Sequence, residues 1–266
     1  MARRGFDRQL CEIQRRTLLL GGMAAQAIER SVVAHKQRDA GLARAVIAND
    51  GRLDDLARDL GDCALLLMAT QQPVARDLRI VSTVLAIVGE LERIGDYAEG
   101  IAKLTLRGLG EPSLQPPPDL PQMAEQSIDM LRRSLDAFST HNSAAATAIW
   151  HEDDAIDALQ NRICNSLLRQ MCADTALVAS ATRLLCVTHN LERVADRATN
   201  ICERTVFMVS GSQMAPQRRY GRWSDPRPLL PHNSSTGSSA GGPLVASPTT
   251  TKSGTAHMRG RVDADP

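Results

Sequence analysis

The sequence predicts an all-α protein of two tandem three-helix bundles, six long helices from a duplicated repeat, with a disordered C-terminal tail. Three observations carry that expectation. Apolar residues recur at helical spacing over long stretches. Aromatic residues are 3% of a chain that is 43% hydrophobic, so the core must be built from Leu, Ile, Val, Ala and Met, which suits packed helices better than sheets. One stretch is written nearly twice, as Glu90-Leu91-Glu92-Arg93-Ile94-Gly95-Asp96 and again 100 residues later as Asn190-Leu191-Glu192-Arg193-Val194-Ala195-Asp196.

From Phe6 to Arg38 the apolar positions Leu10, Ile13, Leu20, Ala24, Ile28 and Val32 trace one face of a helix. Asp39 stands where an N-cap belongs, and a second helix runs from Gly41 to Thr70 through Val46, Leu53, Leu60 and Leu67. Gln71-Gln72-Pro73 breaks the pattern, and a third helix follows from Val74 to Leu106. Gly108 to Pro121, with Pro116 to Pro118 consecutive, reads as a linker. Three more helices are expected, over Gln122–Thr140, Ser143–Cys172 and Thr175–Ser210. The expected organisation is a first repeat over 1–107, a linker over 108–121, a second repeat over 122–211 and a tail over 212–266. The tail is Ser-, Thr-, Pro- and Gly-rich without periodicity, a composition that cannot bury enough apolar surface to offset its ordering entropy.

Matching Met23 to Met123 and Glu92 to Glu192 gives an offset of 100, whereas Asp50 to Asp54 match Asp153 to Asp157 at 103. The expectation is a three-residue insertion before the second helix and a compensating deletion after it.

Net charge is +1, yet seven Lys and Arg against three Asp and Glu lie from Ser212 onward, leaving 24 basic and 27 acidic residues before it. A mildly acidic body argues against a duplex nucleic-acid binder. The six cysteines form no Cys-x-x-Cys pair and are expected to be small buried hydrophobes in a reducing compartment. No run is apolar enough for a membrane span. Arg15-Arg16 followed by Leu18 to Ala27 scans as a twin-arginine signal, but its partner stretch inside the second repeat argues for a structural helix.

The repeats carry four pairs of carboxylates four residues apart: Asp50 with Asp54, Glu92 with Asp96, Asp153 with Asp157 and Glu192 with Asp196. Residues at that spacing share a helix face, here on the shoulder of each apolar stripe, where neighbouring helices can bring the pairs together. Crowded carboxylates repel unless a cation, a proton or arginines compensate them. Oxygen-rich sites suit Mg²⁺, Mn²⁺, Fe or Zn²⁺. The plainer alternative is a solvated face with Arg93 and Arg193 in ordinary ion pairs. Enzyme signatures are missing: no Glu has His three residues later, and there is no phosphate-cradling Gly-x-x-x-x-Gly-Lys loop or Gly-x-Ser-x-Gly elbow.

The two Leu-Glu-Arg motifs, Ala198-Thr199-Asn200-Ile201 and Gln72-Pro73-Val74-Ala75-Arg76-Asp77-Leu78-Arg79 together resemble the PhoU family over residues 6 to 211. The resemblance implies a non-enzymatic cytoplasmic protein that often dimerises, with metal clusters at its paired acidic motifs. It implies negative control of phosphate uptake and signalling through the ATPase of a phosphate ABC transporter and a membrane sensor histidine kinase. Two departures stand out. Tyr97 and Arg197 occupy positions where many members have His, and Gly100 replaces the Asn kept at Asn200, so the first site is expected to bind metal less well. The rival reading is a helical adaptor whose acidic pairs are only salt-bridged.

Overall fold

The structure is a computed structural model that describes residues 2–111 and 114–214; the expected tail lies outside the described residues from 215 onward. Among those described residues every regular element is helical: α1 (Ala2–Gln37), α2 (Ala40–Gln71), α3 (Ala75–Arg107), α4 (Asp119–Ser139), α5 (Ser143–Trp150), α6 (Asp153–Ala173) and α7 (Val178–Ser210), with a 3₁₀ turn (Thr175–Leu177) before α7. The expected fifth helix is therefore two pieces. The break falls at His151-Glu152, where Arg133 of α4 grips the Glu152 carboxylate and Glu203 of α7 accepts from Trp150 Nε1 at 2.9 Å. No periodicity announces those tertiary contacts. α4 starts earlier than expected, at Asp119, with Pro121 in its first turn, where a missing N–H costs nothing.

The turns between the first two helices of each half are built alike. Arg38 and His141 adopt left-handed φ of 53° and 51°. Asp39 then caps α2 by accepting from the Gly41 and Leu42 amides, and Asn142 caps α5 by accepting from the Ala145 amide. The same register continues backward, since Ser31 Oγ donates to the Ile28 carbonyl and Ser134 Oγ to that of Leu131. These pairs are 103 apart. The offset of 100 expected for the first helix is thus incorrect, and the three-residue difference arises once, between the second and third helices. Thr105 donating to Ile101 and Thr205 to Ile201 restore the offset of 100 in α3 and α7. Asp39→Ala should lower stability by about 1 kcal/mol, seen as a lower denaturant midpoint at unchanged slope.

The halves join along two seams and share one hydrophobic core. α1 meets α4, where Arg132 pairs with Glu29 and Gly21 lies under Leu135. α3 meets α7 in one of the most extensive helix pairings among the described residues, and the two run antiparallel. Thr83 Oγ1 donates to the Arg204 carbonyl, Glu90 meets Arg197 and Asn200, Gly100 faces Asn190, and Gly108 faces Arg183. Because α3 and α7 are repeat equivalents, this pairing is a pseudo-two-fold relation centred at the level of Gly95 and Ala195.

Among the described residues, no helix is long and apolar enough to cross a membrane. The cysteines depart from expectation: Cys202 is buried and Cys164 half-buried, while Cys11, Cys63, Cys172 and Cys186 are exposed.

Candidate functional site

The acidic pairs gather into two clusters, one in each half. In the second, Glu192 and Asp196 project from α7 toward Asp153 and Asp157 of α6. Burial, followed by the charges of Asp196, Asp157 and Asp153, pushes the Glu192 carboxyl up to about 7, against a smaller opposing pull from Arg193. The turn before α6 puts Asp153 in that helix's first turn, where it is buried at 7% exposure. Glu192 Oε2 is buried and accepts no hydrogen bond. His189 Nδ1 stands 3.4 Å from it, but Arg193 Nε donates to the other ring nitrogen at 3.0 Å. Burial, and then Arg193, lowers the His189 pKa, so the imidazole is a poor counter-charge.

In the first cluster the Asp50 carboxyl is raised to about 6 by burial, then by Asp54, Glu99 and Asp96. Asp96 is raised by burial, then by Asp54 and Glu99. Glu92 is exposed on α3 and is not among the charges acting on either. Glu99 is the member that the repeat concealed, because its equivalent is Thr199; its spacing of three from Asp96 was the available signal. Glu99 also holds Lys103, which brings a positive charge into this cluster. The second half has Glu203 in place of Lys103, and that carboxylate is taken by Trp150.

Gly95 explains the small residue of the motif. A Cβ there would come within 3.0 Å of Leu53 Cδ2 and 3.2 Å of Asp50 Oδ1, so the missing side chain lets α2 bring its carboxylate close against α3 without displacing either neighbour.

Besides their weak pull on their own carboxylate pairs, the motif arginines serve the seam. Arg93 Nη1 lies 3.5 Å from Glu90 Oε1, and the Arg193 guanidinium lies over the Tyr97 ring at 5.8 Å. Arg197 Nη1 and Asn200 Nδ2 each donate to Glu90 Oε2 at 3.1 Å, while Arg197 Nη2 reaches Asp196 at 3.8 Å. Across the pseudo-two-fold, the equivalent of the Glu90–Asn200 pair is Asn190 beside Gly100, where a Cβ would sit at an ordinary 3.5 Å from Asn190 Nδ2. Both sequence departures, Tyr97 and Gly100, therefore lie at the junction of the halves.

Among the described residues, no three His, Cys, Asp or Glu side chains converge closely enough to form a metal site. The carboxylates share a field without sharing a coordination sphere. The donor set nevertheless fits a hard cation: oxygen ligands only, mutual repulsion, and one orphaned buried oxygen on Glu192.

Fold and site together define a duplicated helical-bundle protein with an acidic cluster in each half. The PhoU domain model matches residues 17–105 and 120–205, and the chain belongs to the PhoU family. The phosphate-specific transport system accessory protein PhoU homolog of Clostridium acetobutylicum is 36% identical over 215 residues, covering 80% of this chain and 98% of that protein. The homolog of the same description from Rhizobium meliloti is 34% identical, covering 80% of this chain and 90% of its own length. The crystal structure of the phosphate transport system regulatory protein PhoU from Streptococcus pneumoniae superposes with a TM-score of 0.74 at 29% identity, over 79% of this chain and all of that one. PhoU from Pseudomonas aeruginosa gives 0.75 at 26% identity, over 78% of this chain and all of that one.

Proposed function

We propose that this protein is a regulator of phosphate transport that restrains a phosphate ABC transporter and its associated phosphate-sensing signalling, working in the cytoplasm as a homodimer. The observation that carries this reading is membership of the PhoU family along the whole helical body, with relatives named as phosphate-transport accessory proteins matched over 90% or more of their length. In this reading the ATPase subunit of the transporter and a membrane sensor histidine kinase are its partners. Deleting the gene should raise phosphate uptake and switch on the starvation response at high external phosphate, measured by labelled-phosphate uptake and a starvation reporter. Unchanged uptake and reporter output would overturn the assignment.

The acidic clusters belong to this reading as metal centres. Glu192, Asp196, Asp153 and Asp157 would hold one ion or cluster, and Asp50, Asp54, Asp96 and Glu92 the other, with Glu99 an added donor. A divalent or trivalent ion such as Fe, Mn, Mg or Zn would supply the positive charge that the crowded carboxylates lack. Lys103 already supplies one in the first cluster, so the second is the stronger site. That lysine is also the observation favouring the rival reading, a helical adaptor with salt-bridged acids.

A further inference from the structure

A cavity of about 110 Å³ opens where the end of α1, the end of α3 and the start of α7 meet. His35, Lys36, Arg38, Ser180 and Arg183 give it a polar wall over an apolar floor that includes Leu184. Among the described residues no carboxylate lines it. Three permanent cations around a small cavity form a field suited to an anion, and Ser180 lies in the first turn of α7, where helix amides add to that field. The field registers on His35: burial first, then Arg38 and Arg183, lower its pKa, and its Nδ1 sits 3.1 Å from Thr105 Oγ1.

The chain already answers one of these cations from outside the cavity. Glu111 pairs with Arg183 through Oε2, which Ser180 Oγ approaches at 3.5 Å, while Arg183 Nη2 also meets Ser180 Oγ at 3.1 Å. Arg38 Nη2 holds the segment carrying Glu111 by donating to the carbonyls of Gly108 at 2.8 Å, Leu109 at 2.9 Å and Glu111 at 3.0 Å. Arg183 and Ser180 are thus shared between a carboxylate of the inter-repeat connection and a cationic cavity.

We propose that this cavity binds inorganic phosphate on Arg183, Ser180 and Lys36, in competition with the Glu111 carboxylate. A guanidinium presents the same donor fork to a carboxylate and to a phosphate, but phosphate carries more acceptor oxygens and reaches Lys36 as well. The cavity has room for a small tetrahedral oxyanion. Phosphate entering it releases Glu111 and loosens the 108–111 segment from α7, which couples the ligand to the junction of the halves. The choice of phosphate over other tetrahedral oxyanions rests on the regulatory reading above; the cavity and its internal competitor do not.

The test is calorimetric titration of the full chain, stripped of metal by chelation and held in phosphate-free buffer at constant ionic strength, with sodium phosphate and, in a parallel arm, sodium sulfate. Wild type should bind phosphate weakly. Glu111→Gln should bind about tenfold more tightly, because the competing state is no longer populated. Arg183→Met should bind at least tenfold more weakly, and Arg183→Lys should fall between it and wild type. A thermal melt of each variant checks the fold; should Arg183→Met not fold, Glu111→Gln and Arg183→Lys still carry the test. Absence of phosphate binding to both wild type and Glu111→Gln overturns the proposal, as does a Glu111→Gln affinity no higher than wild type. Equal binding of sulfate overturns the assignment to phosphate. No transporter enters these readouts, so they stand or fall separately from the uptake phenotype.

Discussion

Glu192→Gln combined with Asp196→Asn is expected to stabilise the metal-free protein at pH 8 while lowering the metal that the protein retains. Glu192 is pushed up to about 7 from 4.5, so the folded state holds a proton that the unfolded chain releases. A group that binds protons more tightly when folded makes stability fall as pH rises, here between about 4.5 and about 7, and the deficit is complete above that window. After allowance for residual solvent screening it is about 2 kcal/mol. Removing the charge should therefore raise the melting temperature at pH 8 by about 4 °C and flatten the pH dependence of stability. Asp50, raised to about 6, adds a smaller contribution of the same sign at lower pH, because it is more exposed. Metal bound to protein purified without chelator should drop in this double mutant by more than in Glu92→Gln with Asp96→Asn, where Lys103 already compensates the cluster. Elemental analysis beside thermal melts decides between the two readings of the acidic pairs. A wild type devoid of metal, with both double mutants less stable than it, would establish the adaptor with salt-bridged acids.

Glu90→Ala should cost about 3 kcal/mol, because it strands groups on both sides of the central seam. Arg197 and Asn200 would lose their shared acceptor, and Arg197 already has one buried nitrogen without a hydrogen bond. Arg197→Met alone should also destabilise, but joined to Glu90→Leu it should recover much of the loss, giving a strong coupling in a double-mutant cycle. Asn190→Ala is the internal control. It occupies the repeat-equivalent of Glu90 and faces Gly100, which has no side chain, so its loss should stay within about 0.5 kcal/mol. Equal costs for Glu90→Ala and Asn190→Ala, measured by denaturant unfolding, would show that this polar network does not hold the halves together.

The seam shows what a linear reading can and cannot deliver. Helix periodicity placed α1, α2, α3 and α7 within a few residues, because each buries one continuous apolar stripe and such a stripe is a local property of the sequence. Periodicity carried straight through His151-Glu152, since the residues that fix the break there, Arg133 and Glu203, come from other helices. The register of the first helix was read from Met23 and Met123, whose similarity is incidental; the serine back-bonds and left-handed turn residues give the true offset.

Of the candidate site, the sequence determined that carboxylates would pair at a spacing of four in each half, because the spacing and the duplication are both written in it. The class of protein followed from the same motifs. Which carboxylates feel one another was a tertiary matter: Glu192 is driven inward beside α6, its counterpart Glu92 stays in water, and Glu99 enters the first cluster with Lys103. The sequence already pointed to unequal sites through Tyr97 and Gly100, but the inequality in burial and neighbouring charge comes from packing, because both depend on which helices meet. The antiparallel contact of α3 with α7, 100 residues apart in sequence, is tertiary in the same way: it brings Glu90, Arg193 and Arg197 together at the seam.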